Sequence, residues 1–255
     1  MKKKFDGDIY FTPKQAAEHF NLSLSTIKNY IYASKLNTLK TPGGHHRIRK
    51  SELLATLGDR VVLRGDEDKF SLMFRLCTAM LPVFKTLGPA GNSLIMHAKN
   101  VSMLSGKIAR AMAMSEADIK YIEIAGLVHD IGHMAIEKHI LLKSEGLTPQ
   151  EYRSIKNHPI AGEEILSSIE GLKEISGVVL QHHERLDGKG YPRGFSGEKI
   201  KKAARIIAIA EAYDSMISPH SYKRSVSKEA AMSELARHSG TQFDRDIVKI
   251  FTKTI

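Results

Sequence analysis

The sequence has little of what disulfide-linked or membrane-spanning proteins need. Its 255 residues include one cysteine, Cys77, which excludes an internal disulfide and a zinc site built from cysteines. No apolar run approaches the roughly 20 residues that cross a bilayer. The start, MKKKFDGDIYF, lacks the apolar stretch of a secretory signal. These absences predict a cytoplasmic protein with no membrane partner.

Positive charge and histidine are distributed unevenly along the chain. Residues 1–65 hold 12 Lys/Arg and 5 Asp/Glu, whereas the other 190 residues hold 26 and 23. Nine of the twelve histidines follow residue 90. A basic front and a histidine-rich remainder indicate two domains with different functions. The basic module is a candidate polyanion binder, although a solvated charged surface would have the same composition.

Residues 12–57 have the pattern of a helix-turn-helix followed by a β-hairpin and a third helix. Thr12-Pro13-Lys14-Gln15 is a capping box with proline in the first turn, and Ser23 can cap the second helix. Pro42-Gly43-Gly44 is a tight turn between two short strands.

This segment resembles the small winged helix-turn-helix domains of the MerR and excisionase type. The resemblance lies in FTPKQAAEHFNLSLSTIKNYIYASKL and in the wing TPGGHHRIRKSEL. It implies that the second helix enters the major groove of double-stranded DNA, while the wing contacts phosphates or the minor groove. The residues expected to contact DNA are Thr26, Lys28, Asn29, His45, His46, Arg47 and Arg49. A homodimer is expected because such modules often read paired half-sites. A module that serves dimerisation or protein docking is the alternative.

The remainder of the chain places histidines and aspartates on apolar faces of predicted helices. His97 shares a face with Val101 and Leu104, although a lone inward histidine is also compatible with a satisfied core residue. A buried Asp130 needs a cation, a hydrogen-bond donor or an exit to water. Imidazole and carboxylate ligands together favour Mn, Fe or Zn over Mg or Ca. Two ions about 3.5–4 Å apart are suited to the hydrolysis of a phosphoester.

The order of these groups resembles the HD-GYP family, which belongs to the HD superfamily of all-helical metal-dependent phosphohydrolases. The matching segments are HDIG at residues 129–132, HHERLDGKGYP at 182–192 and the tail HSGTQFDRDIVKIF. Members of the family hydrolyse cyclic di-GMP to linear pGpG or to GMP. The resemblance implies a mainly α fold: an all-helical HD-type bundle with a small N-terminal winged helix-turn-helix domain that contains a short β-hairpin. The expected domains are residues 1–60 and 70–255, joined by a linker at 61–69.

The resemblance also implies two divalent metal ions, Fe or Mn, with Zn as a further choice. The implied ligands are His97, His129, Asp130, His158, His182, His183 and Asp214. Asp130 would bridge the two ions and take part in catalysis together with His133. The implied substrate-binding residues are His133, Gly190, Tyr191 and Lys223.

Three positions depart from the family pattern. His133 replaces the lysine of HDIGK, Ser93 replaces the glutamate of members with three metals, and HSYK at 220–223 replaces RPYR. Ser93 favours two metals, and the other changes weaken phosphate binding. The expected function is a cyclic di-GMP phosphodiesterase that produces pGpG and is coupled to a DNA-binding module. The alternatives are a weakly active or inactive cyclic-dinucleotide sensor that regulates transcription, and an HD enzyme with another substrate.

Overall fold

The computed structural model describes residues 4–5, 8–19, 23–57, 69–143, 146–218 and 225–255. The chain separates into two compact units, Met1–Leu72 and Met73–Ile255. The expected linker at 61–69 lies outside the described residues except for its last position. The exact domain boundaries therefore stay a prediction.

The first unit combines a small antiparallel sheet with short helices. Its elements are β1 (Lys4–Phe5), β2 (Asp8–Phe11), α1 (Pro13–His19), α2 (Leu24–Tyr32), β3 (Leu39–Lys40), β4 (His46–Arg49) and α3 (Lys50–Leu57). The strand order is β1-β2-β4-β3. Leu39 lies opposite Arg47 in the β3–β4 pair, and Tyr10 lies opposite Arg49 in the β2–β4 pair. The predicted hairpin is thus present as β3 and β4.

Local hydrogen bonds explain where the helices of this unit begin. The Thr12 amide donates to Gln15 Oε1 at 2.9 Å, and the Gln15 amide donates to Thr12 Oγ1 at 3.1 Å, which forms the predicted capping box. Ser23 Oγ accepts from the Thr26 amide at 3.0 Å and caps α2. One apolar core joins the elements: Phe11, Ala16, Ala17, Ile27, Leu36, Ile48 and Leu53.

The second unit is helical, and α4 crosses the boundary at Leu72. Its α-helices are α4 (Lys69–Met80), α5 (Pro89–Ala111), α6 (Glu116–Val128), α7 (Lys138–Leu141), α8 (Pro149–Ile155), α9 (His158–Ser167), α10 (Lys173–Val179), α11 (Lys202–Ile217), α12 (Lys228–Arg237) and α13 (Arg245–Thr254). Its 3₁₀ helices are Leu81–Leu87, Ile131–Ala135 and Gly197–Lys199. The long α5 packs against α6, α11 and α13, while α9 packs against α10 and the 3₁₀ helix Ile131–Ala135. The mainly α fold expected from the sequence is confirmed.

One described segment corrects the expectation about apolar runs. Phe70–Leu87 is long and apolar enough to cross a membrane by length and composition alone, and 22% of it is buried. Polar residues such as Arg75 and Lys85 interrupt it, so no uninterrupted run is visible in the sequence. Its buried members recur at helical spacing on one face: Met73, Cys77, Leu81 and Phe84.

Gly132 allows the 3₁₀ helix Ile131–Ala135 to approach α9 closely. A Cβ at this position would lie 1.9 Å from the carbonyl oxygen of His158 and 2.6 Å from the backbone nitrogen of Gly162. We expect Gly132→Ala to lower the stability of the protein by about 1–3 kcal/mol, the usual cost of overpacking. The measurement is a thermal unfolding curve. Gly146→Ala is the control because nothing lies within 4 Å of its added Cβ. Equal melting temperatures for the two variants would contradict this packing argument.

Candidate metal centre

Five histidines of the second unit lie close together, four of them at or just beyond helix ends. His97 lies within α5, His129 directly follows α6, and His158 is the first residue of α9. His182 and His183 lie just beyond the end of α10. His129, His158 and His182 are almost fully buried. Their side chains are therefore withdrawn from solvent and directed at one another.

Two clusters of metal-capable side chains result. The first cluster is Asp130, His158, His182 and His183, and the second cluster is His97, His129 and Glu211. Within each cluster, the candidate ligand atoms all lie within 4.8 Å of one another. This arrangement could hold a metal in each cluster.

The carboxylate of Asp130 faces both clusters. Its Oδ1 lies 3.3 Å from His158 Nε2, and its Oδ2 lies 3.3 Å from His129 Nε2. The two oxygens of one carboxylate are thus directed at imidazoles of different clusters. This is the geometry that a bridging ligand requires.

The carboxylate of the second cluster belongs to Glu211, which the sequence reasoning missed. Asp214 is buried beside this cluster, but its Oδ2 is hydrogen-bonded to His97 Nδ1 at 2.6 Å. Its Oδ1 accepts from Asn100 Nδ2 at 2.9 Å. Asp214 is therefore placed to orient His97. The segment AEAYD carried the missed signal, because residues three apart share a helix face.

Three of the histidines are oriented by the same local device. Each donates its Nδ1–H to the carbonyl three residues earlier: His129 to Gly126 at 2.8 Å, His158 to Ile155 at 2.8 Å and His182 to Val179 at 2.5 Å. These carbonyls lie in the last turns of helices, where backbone acceptors lack intrahelical partners. A carbonyl can only accept, so Nδ1 carries the proton. The neutral ring then has a lone pair on Nε2.

These lone pairs face other electron-rich atoms. His129 Nε2 is buried, has no hydrogen-bond partner and lies 3.3 Å from Asp130 Oδ2. His158 Nε2 lies 3.1 Å from His182 Nε2. A buried polar atom without a partner is costly. A cation could be coordinated by these Nε2 atoms and by the carboxylate oxygen together, and the residues therefore fit a metal.

Neither His158 nor His182 is protonated at neutral pH, so a second ring proton does not bridge their two Nε2 atoms. Burial lowers the pKa of His158 to about 4, and it holds the pKa of His182 well below the ordinary value. Both rings are therefore neutral near pH 7. Burial alone would raise the pKa of Asp130, but the neighbouring imidazoles, first His129, hold it well below its usual range. Burial lowers the pKa of His129, but the charge of Asp130 and the hydrogen bonds of the ring together outweigh burial and raise that pKa above the ordinary value. A charged carboxylate beside the neutral rings of His158 and His182 is a favourable environment for a divalent cation.

The pKa of Glu211 is raised in this buried environment, whereas the pKa of Asp130 is lowered. Burial and then the charge of Asp130 raise the pKa of Glu211 to about 8. Two carboxylates cannot share a buried site as anions unless a positive charge lies between them. A cation in the second cluster would let Glu211 ionise at neutral pH.

His133 lies against the first cluster. Its ring stacks on His158 with the centroids 4.2 Å apart and the planes at 12°. Its Nδ1 lies 3.2 Å from the Asp130 carbonyl oxygen and 3.3 Å from Asp130 Oδ1. The structure thus brings His133 to the bridging carboxylate.

The loop after His183 folds back onto the first cluster. A Cβ on Gly190 would lie 2.4 Å from the backbone nitrogen of Arg185, so only glycine permits this approach. Glu184 Oε1 accepts from the Arg193 amide at 2.7 Å and closes the loop. The Tyr191 ring stacks on His183, with the centroids 4.7 Å apart.

A cavity of about 410 Å³ opens beside the first cluster. Its lining includes His182, His183, Glu211, Gly190 and Tyr191. His133 is not part of this lining within the described chain. Lys223 lies outside the described residues.

The residues expected to contact DNA occupy α2 and the hairpin of the first unit. Lys28, Asn29 and His45 are exposed, and Arg47 is partly exposed. The Thr26 hydroxyl lies 2.7 Å from Ser23 Oγ at the start of α2, and His46 Nδ1 lies 2.6 Å from Thr38 Oγ1.

Arg49 is held on the sheet of the same unit. Its Nε donates to the Tyr10 hydroxyl at 2.8 Å, and its guanidinium lies over the Tyr10 ring. Arg49 is thus exposed and at the same time bound to Tyr10 within the module.

Fold and site together define an all-helical domain with a buried histidine–carboxylate centre. Residues 90–247, more than half of the chain, match the HD domain family, and residues 10–60 match a helix-turn-helix domain. The chain belongs to the HD domain family, and the HD-GYP assignment made from the sequence is confirmed.

The comparisons with individual proteins agree. A cyclic di-GMP phosphodiesterase of Thermotoga maritima is 39% identical over 159 residues, which are 62% of this chain and 43% of that protein. A 3'3'-cGAMP-specific phosphodiesterase 3 of Vibrio cholerae is 31% identical over 62% of this chain and 35% of that protein. The chain thus spans less than half the length of these curated relatives. Bd1817, an HDG"Y"P protein of Bdellovibrio bacteriovorus, has a similar fold: the TM-score is 0.57 at 14% identity, over 99% of this chain and 92% of that one.

The two clusters predict how the metal content depends on each carboxylate. We expect Asp130→Ala to lose both ions, because its two oxygens face different clusters. Glu211→Gln should lose one ion, and Asp214→Asn should retain both with weaker binding in the second cluster. Metal analysis of purified protein by mass spectrometry measures the stoichiometry. His139→Ala is the control, since that side chain is 68% exposed and lies outside both clusters. Unchanged metal content in Asp130→Ala would rule out the bridge.

Proposed function

We propose that the helical domain is a metal-dependent phosphodiesterase that hydrolyses cyclic di-GMP to linear pGpG. The observation that carries the proposal is the placement of Asp130 between two clusters of imidazole and carboxylate groups, beside a cavity large enough for a nucleotide-sized ligand. Relatives named as cyclic dinucleotide phosphodiesterases support this choice of substrate class.

The ligand set of the proposed centre has seven side chains. One ion would be held by Asp130, His158, His182 and His183, and the other would be held by His97, His129 and Glu211, with Asp130 shared. Asp214 orients the His97 ring through a hydrogen bond of 2.6 Å between its Oδ2 and His97 Nδ1. Imidazole and carboxylate donors favour Fe or Mn, with Zn as a further choice.

When bound, two such ions neutralise phosphate charge and lower the pKa of an attacking water. The chain's own residues then have three tasks. The backbone carbonyls hold the imidazoles in the tautomer that exposes Nε2. Asp130 keeps its negative charge between the clusters. The loop with Gly190 and Tyr191 lines the cavity beside His183, where a bound substrate would lie.

The role of His133 depends on its contact with Asp130. Its Nδ1 is directed at the carboxyl and carbonyl oxygens of Asp130, which leaves Nε2 for a phosphate or a water. Its Nδ1 therefore positions Asp130, and its Nε2 is the atom that we assign to proton transfer. An imidazole gives a phosphate less charge than the lysine of the family pattern.

Turnover is the direct test of the enzyme. Metal-loaded protein is incubated with cyclic di-GMP, and the products are separated by chromatography. We expect pGpG to accumulate with the wild-type protein and with His139→Ala, but not with Asp130→Ala, because the shared ligand is lost. The same assay with 3'3'-cGAMP tests the hybrid substrate. No product from either compound with fully metal-loaded protein would refute the phosphodiesterase.

A cyclic-dinucleotide sensor is the second candidate. It is favoured by the absence of His133 from the cavity lining in the described chain, because a phosphate contact expected for turnover then lies elsewhere. Tight binding of cyclic di-GMP without product would support this reading.

We further propose that the first unit binds double-stranded DNA, that the protein acts as a homodimer and that it works in the cytoplasm. The helix-turn-helix match at residues 10–60, the exposed Lys28 and Asn29 of α2, and the basic hairpin support DNA binding. Two copies would place two α2 helices on paired half-sites.

Removing charge from α2 or the hairpin should weaken DNA binding. We expect Lys28→Ala and Arg47→Ala to raise the Kd for duplex DNA and to reduce the slope of log K against log salt by about one each. Fluorescence anisotropy at several salt concentrations gives both quantities. Lys173→Ala, an exposed lysine at the start of α10, is the control. A slope that neither replacement changes would contradict the proposed DNA-binding face.

A further inference from the structure

The wall of the cavity contains a lysine that is held by tyrosine rings. Lys156 follows α8, and its Nζ lies 4.7 Å from the ring centroid of Tyr152 and 5.0 Å from that of Tyr191. All three residues line the cavity beside His182 and His183. Both rings attract the ammonium group, so its position on the wall is restricted.

The charge of Lys156 is not neutralised by a carboxylate. In the described part of the chain, no carboxylate oxygen lies within the 4.0 Å ion-pair distance of its Nζ. Arg185, in the same lining, differs: it donates to both carboxylate oxygens of Asp187 at 3.0 and 2.8 Å. Arg185 also donates to Gln242 at 2.5 Å. Lys156 therefore offers the cavity a positive charge that Arg185 does not.

Tyr191 connects this lysine to the first cluster. Its ring stacks on His183 at 4.7 Å between centroids and 26° between planes. The His183 ring lies 4.2 Å from the ring of His182. The ammonium group is thus placed near the metal ligands, on the surface of the same cavity.

A cyclic dinucleotide has two phosphodiester groups in one covalent ring. When one of them is at the metal centre, the other must lie elsewhere in the same cavity. A fixed cation without an anionic partner favours a phosphate in that position. We infer that Lys156 binds the phosphodiester that is not cleaved, and that Tyr152 and Tyr191 position it. This inference rests on the proposed function and adds a residue that selects substrates with two phosphates.

The experiment compares three variants of the full-length, metal-loaded protein. We expect Lys156→Gln to raise the KM for cyclic di-GMP on the order of tenfold, the loss expected for one charge-assisted contact, with a smaller change in kcat. Lys156→Arg keeps the charge and should recover most of the loss. Lys189→Gln is the matched control, because Lys189 lines the same cavity without a tyrosine pair and reports general electrostatic attraction.

A substrate with one phosphate separates the contact from a structural effect. Bis(p-nitrophenyl) phosphate has a single phosphodiester, so its KM should change much less in Lys156→Gln than that of cyclic di-GMP. Added salt should raise the KM for cyclic di-GMP more steeply in the wild-type protein than in Lys156→Gln, because the contact is ionic. Thermal unfolding of each variant shows whether it folds like the wild-type protein.

The outcomes distinguish this inference from the proposed function. Equal rises in KM for Lys156→Gln and Lys189→Gln, or equal rises for both substrates, would overturn the role of Lys156 and leave the phosphodiesterase intact. If wild-type protein hydrolyses bis(p-nitrophenyl) phosphate but neither binds nor hydrolyses cyclic di-GMP, the proposed substrate is wrong. The assignment of Lys156 then falls with it.

Discussion

The carboxylate of Asp130 lies among imidazoles whose protons are already donated elsewhere. His129, His158 and His182 each direct Nδ1–H to a backbone carbonyl, so their Nε2 lone pairs face inward. Burial excludes the water that would otherwise separate these groups, and the imidazole contact between His158 and His182 is not relieved by protonation. The packing of α5, α6, α9, α10 and α11 thus brings together a carboxylate and imidazole lone pairs that a cation at this point could coordinate.

Backbone geometry provides this arrangement more than side-chain packing does. The last carbonyls of an α-helix have no intrahelical donor, and a histidine placed three residues later can supply one. The chain repeats this device at Gly126, Ile155 and Val179. Each repeat satisfies a helix end and fixes the tautomer of a ligand at the same time. Stability of the helix ends and orientation of these histidines are therefore coupled, and Gly132 lets the 3₁₀ helix after His129 approach His158 at the start of α9.

The sequence predicted the fold class, the hairpin and the histidines that converge, because periodicity and motif order report which side chains face inward. It could not distinguish Glu211 from Asp214. Both lie on one face of α11, and the choice depends on the rotation of that helix relative to His97. The same limit applies in the first unit. Arg49 has the charge expected of a DNA contact, but its pairing with Tyr10 follows from strand register, which composition does not encode.

Two cationic side chains that line the cavity, Arg185 and Lys156, differ in the residues that hold them. Arg185 is bound to Asp187 and Gln242, so its charge maintains the loop and is largely compensated there. Lys156 is held by the rings of Tyr152 and Tyr191, which restrict its position without supplying a counter-charge. A carboxylate partner compensates the charge of a cation, whereas aromatic rings leave that charge available to a ligand. A substrate with two phosphates would use both kinds of positive charge, one at each end of the cavity.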